Sequence, residues 1–453
     1  MGLRAPLRPL LVKELREILG GRALWAMLLL LCPLIGYSFF QAAALYGEAS
    51  SASSDSPVLA HGLSPLDGVL VPSFGAFYVA VTLLFPFVAI RALGGEKETG
   101  ALRLLVQLPY RPSTLIAAKL MAVLGAWLLA SIPALSALAI WLMLGGHADG
   151  FETLNLFLGH LLYGLLVGAI ALFAMAISES AATAAIITLA FTIGSWVLDF
   201  TVAGRPGLLA WISLLSLTQT LHTFEQGLLS IGLVLGLAAA ICGFAALAAV
   251  WLPPGVPFNA KLVRSVMCVL AMAIMLGAAT RVRSSLDVTE DRRNSFSITD
   301  QQALARLGGP LVINVHLVPE DPRYVDLQRN VLSKLERAMP NVAVRLTGDR
   351  QTFAASAGDV AYGEIEYIYS ARRETTRSTS PREVLPLIYG LANVELPSAV
   401  ATDEYPGYPL TAKAEPALLW FFVVLPMLIA VAWWWTRRAP RINPRYVHQG
   451  GQP

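Results

Sequence analysis

Residues 91–119 read RALGGEKETGALRLLVQLPYRPSTLIAAK, a basic and amphipathic stretch held between two long apolar runs. Ala101, Leu104, Leu105 and Leu108 recur at helical spacing, while Glu96, Thr99, Arg103 and Gln107 fall on the opposite side. Gly94 and Gly95 loosen the start of the stretch, and Pro109 stops the helix. The pattern predicts a short helix across a membrane surface, apolar side to lipid or neighbouring spans and polar side to the cytosol. Such a helix can merely join two spans, or it can be a handle on which a soluble partner pushes.

The rest of the chain supplies the membrane. Its 453 residues are 56% hydrophobic and 14% charged, too apolar for a soluble protein of this size. A formal net charge of +3 does not argue for a nucleic-acid partner. Cys32, Cys242 and Cys268 all fall inside apolar runs, so neither a disulfide framework nor a CxxC metal site is available.

The apolar run at about 23–44 is too long for the core of a signal peptide and is read as a retained span. Further spans are read at about 69–90, 120–144, 154–177, 181–202, 228–252, 262–280 and 417–436, which makes eight. Lysine and arginine test the direction. With a cytosolic N-terminus, the inside segments hold Arg4, Arg8, Lys13, Arg16 and Arg22, then Arg91 to Lys119, then Lys261 and Arg264, and finally Arg437, Arg438, Arg441 and Arg445. The loops 45–68 and 145–153 hold none, and 203–227 holds Arg205. By the positive-inside rule both termini face the cytosol. Ahead of the first span, Leu11, Leu15, Ile18 and Leu19 form an apolar stripe opposite Lys13, Glu14, Arg16 and Glu17, a second interfacial helix. The patch Leu208–Leu215, with Trp211, is too short to span and reads as a helix in the outer interface.

Composition turns polar over 281–415, long enough for a small domain on the outer side. Residues 311–317 read as a buried strand, and 322–339 as a helix with Val325, Leu332 and Leu335 inward. Residues 342–346 and 363–369 read as further strands, and 381–391 as a helix. The expected fold is a polytopic α-helical membrane protein with a small α/β extracytoplasmic domain, its sheet partly parallel, between the last two spans. Residues 397–416, with four prolines, read as a tether.

Candidate chemistry is sparse. No GxxxxGK[ST] phosphate loop occurs, and six scattered histidines show no HExxH spacing. Glu364 and Glu366 share one face of a strand, which suits either a cation or a solvated surface. Arg372, Arg373, Arg377 and Arg382 suit anionic headgroups or, again, solvent. His160 and Asp199 lie inside spans near the outer boundary, either reaching interfacial water or contributing to a substrate route or to helix contacts.

Glu96-Lys97-Glu98-Thr99-Gly100, followed by Leu104-Leu105, Leu108-Pro109 and Lys119-Leu120, resembles the cytoplasmic loop of type 2 ABC exporter permeases. Lys13-Glu14-Leu15-Arg16-Glu17 is similar to the elbow helix that opens many of them. The resemblance implies a bacterial inner-membrane permease subunit in which Glu96, Lys97, Glu98, Thr99, Gly100, Arg103, Lys13, Glu14 and Glu17 couple to a separate ATPase. ATP and Mg are then expected in that partner and no cofactor or metal in this chain, which is itself no enzyme. Two copies are expected around a two-fold axis. Leu286-Asp287-Val288-Thr289-Glu290-Asp291-Arg292-Arg293, then Ser295-Phe296-Ser297 and the Val312–His316 strand, is similar to gliding-motility-type ABC subunits. The organisation implied is a permease domain at 1–255, a seventh helix at 256–280, a shortened gliding-type domain at 281–415, and an eighth helix with a basic tail at 416–453. Two functions follow as expectations: export of a cargo, or ATP-driven transmission of movement to an envelope or motility partner without transport.

Overall fold

Prolines and glycines punctuate a chain that is otherwise mostly helix-forming, so the breaks fix the architecture. A computed structural model describes residues 7–53, 60–202, 217–282, 284–318, 321–339, 341–346, 362–395 and 405–438. Helix α1 covers Leu7–Gly20, α2 Arg22–Ser53 and α3 Leu66–Glu98, the last opening on a π-helical turn at Leu66–Leu70. Then come α4 (Ala101–Gln107), α5 (Pro112–Met143), α6 (Gly150–Ile177) and α7 (Ala181–Val202). Asp149 caps α6, accepting from the backbone N–H groups of Phe151 and Glu152 at 2.8 and 2.9 Å. Helices α8 (Leu217–Glu225), α9 (Ile231–Trp251), α10 (Phe258–Ala279), α11 (Ile298–Ala305), α12 (322–338, in three joined segments), α13 (Pro381–Ala392) and α14 (Glu415–Arg438) follow among the described residues.

Seven of the described helices are long and apolar enough to cross a membrane: α2, α3, α5, α6, α9, α10 and α14. The eighth span read from sequence is α7, a helix of 22 residues whose apolar stretch is described over Ala181–Val197. The chain forms two compact units, one made of Met1–Val197, Leu233–Val282 and Pro406–Pro453, the other of Leu198–Gly232 and Arg283–Tyr405.

In the first unit α3 and α6 are the most enclosed of the spanning helices, α3 burying Phe74, Phe77, Val81 and Phe85. Gly164 and Gly168, four apart on α6, let that helix close on α5. A Cβ at Gly164 would collide with the Trp127 indole, and one at Gly168 would stand 2.6 Å from Val123 Cγ1. Gly36 meets Phe421 in the same way, bringing α14 onto α2. Helix α10 is the opposite case, burying only Ala279 among its residues. The stretch before α14 is held rather than loose. Tyr46 Oη donates to the Tyr408 carbonyl at 2.7 Å, Leu410 N donates to Ser50 Oγ at 2.9 Å, and the Tyr408 ring stacks on His147 at 3.6 Å. The expected tether is therefore held at Tyr408 and Leu410, and its residues 397–404 lie outside the described residues.

The second unit holds a four-stranded sheet in the order β4-β3-β5-β6, with β3 Leu311–Val315, β4 Val342–Leu346, β5 Ile365–Tyr369 and β6 Arg372–Thr376. Strands β3 and β4 are parallel, joined by α12, while β5 runs antiparallel to both β3 and β6. Leu311, Ile313, Val315, Ile365 and Tyr367 join one core with Leu327, Val331 and Leu335 of α12 and Val384, Ile388 and Tyr389 of α13. Burial pushes the Tyr367 and Tyr389 hydroxyls above the ordinary phenol range. Val325, expected inward, is 56% exposed because the buried row of α12 runs Leu327, Val331, Leu335 at four-residue spacing and passes it by. A two-stranded ribbon of β1 (Leu228–Ser230) and β2 (Ser285–Asp287) ties α8 to the start of the domain. Asp287 organises the following loop, accepting from Thr289 Oγ1 at 2.5 Å, Asn294 N at 3.0 Å and Ser295 Oγ at 2.7 Å. The expected interfacial patch at 208–215 falls outside the described residues.

Candidate coupling site

Helix α3 does not end where its apolar run ends. It continues through Arg91 and Gly94-Gly95 to Glu98, so this part of the expected loop is the end of a span. Gly94 is buried, and a Cβ there would stand 3.5 Å from Met175 Sδ; one at Gly95 would stand 3.1 Å from Glu17 Oε1. Gly95 thus sits close against Glu17 and Gly94 in ordinary contact with Met175, and the helix runs unbroken through both. The break comes at Gly100, whose φ of 74° is left-handed and suits glycine. Helix α4 restarts from there with its own phase. Leu102 is its buried residue; of the expected apolar row Ala101 and Leu105 are half-buried, whereas Leu104 and Leu108 are 68% and 46% exposed. Glu98, Thr99, Gly100, Arg103 and Gln107 are exposed.

Beneath this corner lies a buried ionic cluster. Lys119, on α5, is 1% exposed. Its ammonium group lies 2.8 Å from Glu14 Oε2 and 2.7 Å from Glu96 Oε2, and donates to the Ala92 carbonyl at 2.5 Å. Two of these contacts are hydrogen bonds, to Glu14 Oε2 and the Ala92 carbonyl, and the third, to Glu96 Oε2, is a charge–charge contact. Lys13 forms the outer half, pairing with Glu96 Oε1, with Glu14 Oε1 at 3.2 Å and with Glu17 Oε2 at 3.6 Å. Burial works to lower the Lys13 ammonium, but the hydrogen bond to Glu96 and the carboxylates of Glu14, Glu96 and Glu17 hold it above the ordinary lysine range. Glu14, Glu17 and Glu96 each bring an oxygen within 4.8 Å of the others, close enough to hold a cation; Lys13 and Lys119 supply positive charge there.

Glu14 corrects the helical face read for α1. The buried row is Leu10, Glu14, Ile18, because the carboxylate turns inward to meet Lys119. Lys97 also turns inward. Its ammonium donates to the carbonyls of Met175 at 3.0 Å, Ala176 at 3.1 Å and Ser178, placing a cation on the C-terminal end of α6. Of the nine residues singled out in the sequence, Lys13, Glu14, Glu17 and Glu96 meet in one cluster and Lys97 braces α6. Glu98, Thr99, Gly100 and Arg103 form the exposed corner. Sequence reasoning missed Lys119 as the centre, although a lysine eight residues into a spanning helix is itself a signal that a carboxylate must face it.

The other sequence candidates resolve otherwise. His160 is 1% exposed and packs against the rings of Phe74 and Phe77 on α3, at 5.2 and 6.1 Å, a helix contact rather than a side chain reaching water. The Asp199 side chain lies outside the described residues. Glu364 pairs with Arg377 at 3.1 Å, and Glu366 with Arg373 at 3.7 Å while accepting from Asn314 Nδ2 at 2.8 Å. That surface is a polar sheet face carrying ion pairs.

By fold, the chain is a polytopic helical membrane protein carrying a small α/β unit. Residues 8–224 match the model of the ABC-2 family transporter proteins, which supports a membrane permease subunit of an ABC transporter. The matched span contains the whole ionic cluster and the exposed corner, while the segment resembling gliding-type subunits lies beyond it. No curated protein and no solved structure matches the chain.

Proposed function

We propose that this chain is the membrane subunit of an ATP-driven type 2 exporter of a bacterial inner membrane, moved by a separate ATPase that binds ATP and Mg. The partner seats on Glu98, Thr99, Gly100 and Arg103, with Lys13 and Glu17 beside them, and both termini share its cytosolic side. The observation that carries the reading is the contact of Lys119 with Glu14 and Glu96, which joins α1, α3 and α5 directly under the exposed corner. Breaking a buried ion pair by removing one partner costs on the order of 3–5 kcal/mol, so a push on the corner moves these helices together rather than bending one of them. Lys97 extends the brace to α6. Two copies around a two-fold axis would then shift between inward and outward arrangements through differential contacts with the ATPase.

A folded second unit with its own core supports the alternative that movement is passed to an envelope partner without cargo. Vesicles carrying the chain and its co-purified ATPase separate the two. ATP-dependent accumulation or release of lipid-soluble and peptide cargo supports export. Hydrolysis that responds to this subunit without any flux supports transmission.

A further inference from the structure

We infer that a cationic pocket at the membrane-surface end of α3, α9 and α10 binds the phosphate headgroup of an anionic phospholipid. The pocket encloses about 330 Å³, and its lining includes Lys97, Arg103, Lys261, Trp251, Leu93 and Leu102. Among the described residues that line it, three carry positive charge and none carries a carboxylate. Glu179 and Lys261 are the charges acting on Lys97 from outside its own helix. The Lys97 ammonium already meets three carbonyls and serves as a fixed positive charge. Lys261 sits 5.6 Å above the Trp251 ring and gives one hydrogen to the Trp251 carbonyl at 3.3 Å, which leaves further N–H donors for an anion. Arg103 adds a guanidinium on the exposed side.

Three observations favour a lipid over a soluble anion. Lys97, Trp251 and Lys261 lie within four residues of the ends of spanning helices, where chains leave the apolar layer and meet headgroups. Leu93, Leu102 and Trp251 give the phosphate pocket an apolar wall. Phe258, Leu262 and Val266, spaced by four on α10, are 63%, 48% and 51% exposed, an open track for an acyl chain beside Lys261. The turn into α10, through Gly255 at φ 89°, seats Phe258 edge-on to Trp251 at 5.9 Å and sets the rim.

The test uses the full chain alone in detergent, without any ATPase, so its outcome is independent of the coupling proposal. Native mass spectrometry counts retained phosphatidylglycerol and phosphatidylcholine during titration with each. The expected result is selective retention of phosphatidylglycerol, weakened roughly tenfold or more in the Arg103→Gln, Lys261→Gln double variant. Lys261→Arg, which keeps the charge, retains the lipid and controls for folding, as does an unchanged thermal midpoint of the double variant. Equal retention of the two lipids, or equal phosphatidylglycerol binding by the double variant, would overturn the inference. Displacement of the lipid by millimolar inorganic phosphate would also overturn it, assigning the pocket to a soluble anion.

Discussion

Lys119 Nζ lies 2.7 Å from Glu96 Oε2, and both side chains are buried. The partners belong to different helices, and Glu14 of a third helix meets the same ammonium at 2.8 Å. A charge buried this way holds helices together only while every member remains, which makes the cluster testable by removal and by balanced replacement.

Lys119→Met leaves Glu14 and Glu96 buried with only the half-exposed Lys13 to share between them. The expected loss is about 3–5 kcal/mol, read as a lower thermal midpoint in detergent and poorer recovery of monodisperse protein. Adding Glu14→Gln and Glu96→Gln restores most of the loss, because neutral amides no longer require the missing charge. A single variant as stable as the parent would remove Lys119 from its central place.

Packing between α5 and α6 depends on the absent side chain of Gly164. Gly164→Leu forces the Trp127 indole out of its site, and overpacking of this kind costs about 1–3 kcal/mol. Gly75→Ala, where an added Cβ meets nothing within 4 Å, is neutral or slightly stabilising. Thermal midpoints of the two variants should diverge accordingly.

At Gly100 the backbone, not the side chain, is the constraint. Gly100→Val places a β-branched residue at φ 74°, at a cost of roughly 1–3 kcal/mol, and reorients α4. Gly100→Asn tolerates the left-handed conformation. Cysteine accessibility at position 102, buried in the parent, rises in the valine variant and stays low in the asparagine variant.

Acid sensitivity of the second unit has a local source. The Arg323 side chain beside Asp321 holds the Asp321 carboxyl down at about 2, with burial opposing and the Tyr362 hydroxyl assisting. A folded-state pKa below the ordinary carboxylate value stabilises the unit above about pH 4, and that contribution fades as pH falls toward 2. Arg323→Gln therefore shifts acid unfolding of this unit to higher pH, measured by circular dichroism of the full chain. An unchanged acid midpoint would contradict the assignment.

The spans, α1, the sheet strands β3 to β5 and helix α13 were legible because burial in lipid or in one core face imposes a local period on the sequence. Helix α12 was legible in extent, but not in its face at Val325. Glu14 was misread for the opposite reason. Its orientation is set by Lys119, 105 residues away, and no local pattern encodes that. Gly94-Gly95 reads as a loosened start to the stretch, and only the packing of Met175 and Glu17 beside it shows the helix running through. Strand β6, with the polar sequence Arg372–Thr376, looks like a solvated charge run because an edge strand can expose both faces.

The most direct measurement is recovery of a nucleotide-hydrolysing partner with the tagged full chain, comparing the parent with the Glu98→Lys, Thr99→Lys variant. Both changed residues are exposed and outside the buried cluster, so the variant should keep its thermal midpoint. The account predicts an ATPase with the parent and at least a roughly tenfold loss with the variant, the scale of about 1.4 kcal/mol in binding. Equal recovery from both chains, or ATP hydrolysis by the purified chain alone, would contradict it.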